Sequence, residues 1–306
     1  MILYDKIIVD VFNVYHRVNA FNTEGDSKVD IPELYKLTIQ KFLDSTLGEV
    51  YLLFDPLRSN LKISKRASVL EDYKKNRKSK DYKDKLNHLN SLYKDLVLYP
   101  KPRLHIYHNL DYEADDYVEK LSAEGKCLLI TSDEDWSRYL QEDRVDMMPK
   151  GLKITSSNLY TAKDFKKDKK HAFLPNISSV TFWKALYGDK SDNIRNVVGD
   201  NTIIILREAE DELKKQLVYM GENPEPLTYY KSMFFSGKGI FETFHKLLNL
   251  SCTPQSFQKF LRMVDANFNV IESLLPLDSD IDISQFEAKL DLKLQPPKIR
   301  SLGKSK

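Results

Sequence analysis

The chain has 306 residues, of which 42% are hydrophobic and 30% are charged, a composition typical of soluble globular proteins and unlike that of disordered chains. Glycine occurs only 10 times, and neither GxGxxG nor GxxxxGKS/T is present, which excludes the common glycine-rich phosphate loops. The longest purely apolar runs, such as residues 203–206, are far shorter than the ~20 residues that cross a bilayer. The two cysteines are too few for a disulfide framework and fit a reducing compartment.

The net charge of +2 conceals a segregation of charge along the sequence. Residues 58–85 contain eleven Lys and Arg against four acids, and the tail from Lys298 adds four bases and no acid. Such basic blocks favour a polyanionic partner, although a solvated surface is an equally good interpretation of either block taken alone.

Short apolar runs alternate with helical patterns over the first half of the chain. We predict a helix that Asp30 caps, with Glu33 completing a capping box, a polar helical segment ending at Leu98, and a helix that begins near Ala114. The predicted strands cover residues 6–11, 49–54, 104–107, 127–131 and 145–148. This alternation predicts an α/β fold with a mostly parallel sheet. Further helical patterns, which predict a second, helical region, cover residues 182–187, 203–219 and 241–250.

Acidic residues follow several predicted strands, at the end where parallel sheets build their sites. Asp10 and Asp55 end or follow the first two strands, and Asp133 and Asp135 follow the strand at 127–131. A single Asp in such a place is most often a turn or N-cap residue, but three strand ends with acids favour a shared site. Like charges in one site repel each other, so a cation must compensate for them.

Two further acidic groups extend this set, one at a helix entrance and one in the segment GDKSDN. The nine candidate metal ligands are Asp10, Asp55, Glu113, Asp115, Asp116, Asp133, Asp135, Asp189 and Asp192. Oxygen ligands suit Mg²⁺ or Mn²⁺ and do not suit zinc, and His105 and His108 lie on opposite strand faces. A pair of such ions stabilises charge on both the attacking and the leaving oxygen of a phosphodiester, which points to phosphodiester hydrolysis.

Six short motifs, in this order and spacing, resemble the 5′-nuclease or flap-endonuclease family, and most closely its stand-alone bacteriophage 5′-to-3′ exonucleases. They are IIVDVFN (7–13), LFDP (53–56), DYKKNRK (72–78), YEADDYV (112–118), LITSDEDW (129–136) and GDKSDNIRNVVG (188–199). The resemblance implies a PIN-like nuclease core at 1–180, with a helical arch at about 58–98. It also implies a helical, helix-three-turn-helix DNA-binding region at 181–295, before the basic tail at 296–306.

The resemblance also assigns roles to residues. Asp10, Asp55, Glu113, Asp115 and Asp116 match the family's first metal cluster, and Asp133, Asp135, Asp189 and Asp192 match the second. Lys74 matches the lysine at the base of the arch, and Arg77 the arginine that contacts the scissile phosphate. The residues expected to bind DNA are Tyr73, Lys74, Lys75, Arg77, Lys78, Lys166, Lys167 and Arg195. The chain departs from the family after Asn193. Family members usually have a glycine-rich turn there that holds K⁺ and grips duplex DNA, whereas this chain retains only Gly199 of that turn.

The resemblance therefore implies a Mg²⁺-dependent 5′-to-3′ exonuclease and flap endonuclease in which Mn²⁺ substitutes. Its expected substrates are DNA with a 5′ flap or 5′ end and RNA primers in RNA–DNA hybrids. We expect the protein to be a monomer in the cytoplasm, which is the host cytoplasm if a phage encodes the protein. Its expected partners include replication proteins such as single-strand-binding protein, and we expect no membrane association. Two alternatives stay open: a PIN-type ribonuclease for single-stranded RNA, and a non-catalytic DNA-binding or polymerase-associated module.

Overall fold

The computed structural model of the protein describes residues 4–23, 30–57, 80–167 and 282–288, together with positions 262 and 266. Strands and helices alternate along this part of the chain. The strands are β1 (Lys6–Asp10), β2 (Glu49–Phe54), β3 (Leu104–His108), β4 (Cys127–Ile130) and β5 (Val145–Met147). The α-helices are α1 (Val11–Thr23), α2 (Ile31–Asp44), α3 (Lys80–Leu98), α4 (Asp115–Ser122) and α5 (Ala162–Lys167). Short 3₁₀ helices cover Glu134–Tyr139, Ser156–Asn158 and Ile283–Phe286.

The five strands form one sheet in the order β3-β2-β1-β4-β5, and all four pairings between them are parallel. In the central strand β1, Asp10 pairs with Leu53 of β2, and Val9 pairs with Ile130 of β4. All four residues of β4 are buried, as expected for a parallel strand covered on both faces. The α/β fold class with a parallel sheet is therefore confirmed.

Helices lie on both faces of the sheet. Ile7 and Val9 of β1 belong to a hydrophobic core that also contains apolar side chains of α1, α2 and α3. Ile8, equally buried, points to the opposite face because side chains alternate along a strand. Helix α4 contacts β1 and buries Tyr117 and Val118. The carboxyl edge of the sheet therefore lies between two helical layers.

The first strand is shorter than predicted, and a helix that the sequence analysis missed follows it directly. β1 ends at Asp10 and α1 begins at Val11. The Asp10 carboxylate caps this helix, since Oδ1 accepts a hydrogen bond of 2.9 Å from the Asn13 backbone N–H. Val11, Val14 and Val18 are fully buried at helical spacing. The β-branched run that resembles a strand in the sequence thus continues into a helix.

The capping box predicted for α2 is wrong. The Asp30 side chain forms no capping hydrogen bond, and a proline occupies the first helical turn. Helical bonding instead starts from the backbone, where the Leu34 N–H donates to the Asp30 carbonyl at 3.0 Å. Proline at a helix start fixes the backbone angle φ that the helix requires, so the helix begins at the predicted place without the predicted cap.

One C-terminal segment contacts the edge of the sheet. Within residues 282–288, which we call the docked segment, the Ala288 N–H donates to the Ile106 carbonyl of β3 at 2.7 Å, and Glu287 forms an antiparallel bridge with Tyr107. The remainder of the predicted C-terminal region, and residues 58–79 of the predicted arch, lie outside the described residues. In the described ranges, no helix is long and apolar enough to cross a membrane.

Candidate metal centre

The parallel register brings acidic residues from three strands to one edge of the sheet. Asp10 ends β1, Asp55 follows the last residue of β2, and Asp133 lies three residues beyond the end of β4. β1 lies between β2 and β4. Asp10 is therefore the middle member of this group, with an acidic side chain on each side of it.

The surroundings of Asp10 disfavour the ionised form of its carboxyl group. Besides capping α1, it accepts a hydrogen bond of 2.9 Å at Oδ2 from the Thr131 hydroxyl. Burial, followed by repulsion from Asp55 and Asp115, raises the pKa of Asp10 to about 7, although the hydrogen bonds from Asn13 and Thr131 lower it. The site is thus short of positive charge.

The pKa of Asp133, on the other side of β1, is also raised. Its carboxylate accepts a hydrogen bond of 3.0 Å from the Asp135 N–H and so caps the 3₁₀ helix that follows. Although the residue as a whole is exposed, desolvation of its carboxylate raises its pKa well above the ordinary range. Repulsion by Asp135, Asp115 and Asp10 adds to this rise. Asp10 and Asp133 therefore belong to one electrostatic site.

The start of α4 supplies the acids that complete this edge. The Asp55 carboxylate accepts a hydrogen bond of 3.0 Å from the Ala114 N–H, which ties β2 to the helix start. Asp116 accepts one of 2.8 Å from the N–H of Glu113, a buried acid. Asp115 interacts with both Asp10 and Asp133. The two clusters that the resemblance keeps apart thus meet at this residue.

Trp136 is a site residue whose role the sequence analysis missed. Its side chain is fully buried, and the indole Nε1–H donates to Asp115 Oδ1 at 2.7 Å. The residue is part of the motif LITSDEDW, but its position gives no sign of a partner 21 residues earlier in the chain. Trp136 therefore fixes one oxygen of the acid that both clusters share.

Two arginines near the acids were also missed. Burial lowers the pKa of Arg17 to about 10. Electrostatic interactions with Asp10 and with Tyr35 oppose this effect. Burial alone would lower the pKa of Arg138. The interactions with Tyr139, Asp135 and Asp115 have a larger, opposite effect, so the pKa of Arg138 is raised overall. The pKa of Asp10 stays near 7 with Arg17 present, so Arg17 does not neutralise this acid.

The donor set fits hard divalent cations. Across the described ranges, no group of three or more His, Cys, Asp or Glu side chains is arranged to hold a metal ion as the side chains stand. The donors at this edge are nevertheless all carboxylates, the kind of ligand that Mg²⁺ and Mn²⁺ prefer. Burial, and then repulsion between the acids, raises the pKa of Asp10 and of Asp133, and a cation relieves such repulsion. The chemistry of these donors, though not their present arrangement, therefore matches the metal that the resemblance implies.

The remaining candidate residues divide into two groups. Lys167 is exposed at the end of α5, and Lys166 lies in the same helix. The others lie outside the described residues: Tyr73, Lys74, Lys75, Arg77, Lys78, Asp189, Asp192 and Arg195. The sequence analysis set aside His105 and His108; the His105 ring bonds to the Glu49 carboxylate, and the His108 ring accepts a hydrogen bond from the Leu57 N–H.

Comparison with known proteins places this geometry in a known fold. No family model and no curated protein matches the chain. Among solved structures, the flap endonuclease of bacteriophage T5 in a complex with DNA and metal ions is similar, at 22% identity and a TM-score of 0.52, over 92% of this chain and 96% of that one. The 5′-exonuclease of bacteriophage T5 with bound zinc gives 22% identity and a TM-score of 0.50, over 93% and 99% of the two chains. The chain therefore has the PIN-like fold of these phage 5′-nucleases, as the sequence resemblance implies.

Proposed function

We propose that this protein is a divalent-metal-dependent nuclease that hydrolyses DNA phosphodiesters, acting as a 5′-to-3′ exonuclease and flap endonuclease. The observation that carries the proposal is the group of acids from three strand ends at one sheet edge, with the pKa of Asp10 raised to about 7. Similarity in fold to nucleases that bear metal ions and DNA supports it.

The proposed ligands are the acids at the carboxyl edge. They are Asp10, Asp55, Glu113, Asp115, Asp116, Asp133 and Asp135, with Asp189 and Asp192. Bound divalent ions supply Lewis-acid stabilisation of the charge that builds on the scissile phosphate, and they activate water. Mg²⁺ is the proposed physiological ion, since it tolerates ligand sets of a few carboxylates completed by water and substrate phosphate.

Other residues of the chain handle the substrate in this proposal. Arg77 contacts the scissile phosphate, and Lys74 is the lysine at the base of the arch; positive charge from both residues favours the transition state. Lys166, Lys167 and Arg195 bind the duplex backbone, a type of contact that makes affinity salt-dependent. The same site accepts RNA primers in RNA–DNA hybrids, and the protein removes primers and flaps during replication.

A cleavage assay tests this function directly. A 5′-labelled flap duplex is incubated with the protein in Mg²⁺ and in EDTA, beside a single-stranded RNA of equal length. We expect metal-dependent release of the flap, with Asp133→Asn and Asp116→Asn nearly inactive but still bound to DNA. Asp44→Asn, a change in an exposed acid at the end of α2, is the matched control and should cleave normally.

The outcomes separate the alternatives. Normal turnover by both site variants contradicts the proposal, and cleavage of the RNA alone favours a single-strand ribonuclease. Binding of the flap without cleavage under any divalent ion favours a non-catalytic DNA-binding module.

A further inference from the structure

Asn13, in the first turn of α1, joins this helix to the loop that carries Asp133. Its side-chain Oδ1 accepts hydrogen bonds from the Ser132 N–H at 3.0 Å and from Arg17 Nε and Nη2 at 3.0 and 2.8 Å. Its Nδ2 donates to the Ser132 hydroxyl at 2.6 Å. Asn13 and Ser132 are 119 positions apart in sequence, so this amide is a tertiary link.

Arg17 fixes the orientation of the Asn13 amide. Its Nη1 donates to the carbonyl oxygens of Met148 and Gly151 at 3.1 and 3.3 Å, which anchors the guanidinium. A flipped amide would face Arg17 and the Ser132 N–H with its own NH₂ group, and two donors repel each other. The Nδ2 atom of Asn13 must therefore face Ser132.

Thr131 forms a second link between the same two acids. It is fully buried, its hydroxyl donates to Asp10 Oδ2 at 2.9 Å, and its Oγ1 accepts from the Asp133 N–H at 3.0 Å. The Asn13 backbone N–H meanwhile donates to Asp10 Oδ1 at 2.9 Å. Asp10 and the backbone of Asp133 are thus connected through Asn13 and Ser132 on one side and through Thr131 on the other.

These two links join the Asp10 carboxylate to the backbone at residues 132 and 133. Carboxylates that share one site repel each other, and these hydrogen bonds oppose a separation of the two strand ends that carry Asp10 and Asp133. Ligands whose backbone is fixed before the cation binds cost less to order at that moment.

Resting on the proposed function, we propose that Asn13 and Thr131 are positioning residues, which tie the Asp10 carboxylate to the backbone of the loop that carries Asp133 and so limit the movement that these two proposed ligands need to bind a divalent cation. Neither residue has to touch the ion. Residues that orient metal ligands in this way typically contribute about 10- to 100-fold in metal affinity or activity.

Metal binding without substrate tests the inference. Mn²⁺ is titrated into the full-length protein, and free Mn²⁺ is measured by electron paramagnetic resonance. The matched pair is Thr131→Val, which keeps the shape of the side chain, and Thr131→Ser, which keeps its hydroxyl. We expect Thr131→Val and Asn13→Ala to weaken Mn²⁺ binding about 10-fold or more, and Thr131→Ser to bind nearly as the wild type does. Asn90→Ala, which removes a comparable amide bond to a backbone carbonyl within α3, should not change the affinity.

The result also separates this inference from the proposed function. Wild-type affinity in Thr131→Val, or equal weakening in Thr131→Val and Thr131→Ser, overturns the inference while the function stands. If wild-type protein binds no Mn²⁺, the function fails and the inference fails with it. Should Asn13→Ala not fold, the Thr131 pair decides, because both of its members keep the packing of the buried site nearly intact.

Discussion

Asp10→Asn should stabilise the metal-free protein while it removes a proposed metal ligand. The pKa of Asp10 is raised from 3.8 to about 7, first by burial and then by Asp55 and Asp115. A difference of about 3 pKa units corresponds to about 4 kcal/mol of destabilisation when the carboxylate is ionised. A neutral amide of the same shape avoids that cost.

Part of this gain is offset by hydrogen bonding. An amide keeps one acceptor for the Asn13 N–H, and asparagine caps a helix as well as aspartate does. Its NH₂ group must then face the Thr131 hydroxyl, which has to accept where it now donates to Asp10, and one such reversal costs about 1 kcal/mol. The expected net gain at pH 8 is therefore about 2–3 kcal/mol in the free energy of unfolding.

Urea denaturation in EDTA, followed by circular dichroism, measures this gain. Because the pKa of Asp10 is raised by folding, its cost is full above pH ~7 and fades as the pH falls towards the ordinary value of ~3.9. The gain at pH 8 should thus exceed the gain at pH 5. Asp44→Asn, at an exposed position, should change stability by less than about 0.5 kcal/mol. An Asp10→Asn variant that is less stable than wild type at pH 8 would refute the electrostatic account of the site.

Two further predictions concern neighbours of the acidic edge. Trp136→Phe removes the hydrogen-bond donor that lies 2.7 Å from Asp115 Oδ1 and leaves a small void. Urea denaturation should show a decrease of about 2–4 kcal/mol in the free energy of unfolding. A decrease below about 0.5 kcal/mol would contradict the contact. Burial alone would lower the pKa of His105, but its hydrogen bonds to Glu287 and Glu49 have a larger effect, so this pKa is raised overall. The attachment of the docked segment should therefore be strongest below pH ~6.5 and weaken as the pH rises through the raised value. Amide exchange of that segment measures this, and Glu287→Gln should remove most of the pH dependence.

The positions of the acids at the sheet edge could be predicted because the signals are local. A short apolar run followed by Asp is visible within a few residues, and parallel pairing carries each strand end to the same edge. Asp10, Asp55 and Asp133 were placed there from these runs alone. The burial of β4 follows in the same way from the apolar stretch that begins at Cys127.

The links between those acids could not be predicted, since each joins distant parts of the sequence. The Asn13 amide meets a serine 119 positions later, and Arg17 meets the Met148 carbonyl 131 positions later. Helix α1 was missed for another reason: its valines have a high β-propensity, and their burial in the core overrides that preference. Local patterns therefore locate the acids at the strand ends, while the residues that bond to them emerge only from tertiary packing.

The magnitudes decide between the two interpretations of Asp10. As the N-cap of α1 it contributes about 1 kcal/mol, and Ser or Asn would contribute as much without a charge. The raised pKa of about 7 implies a cost of about 4 kcal/mol above that pH, several times larger than the benefit of the cap. Helix capping is therefore observed but does not account for a carboxylate at this position. The cation of the proposed function accounts for it, because binding would convert the same burial and repulsion into binding free energy.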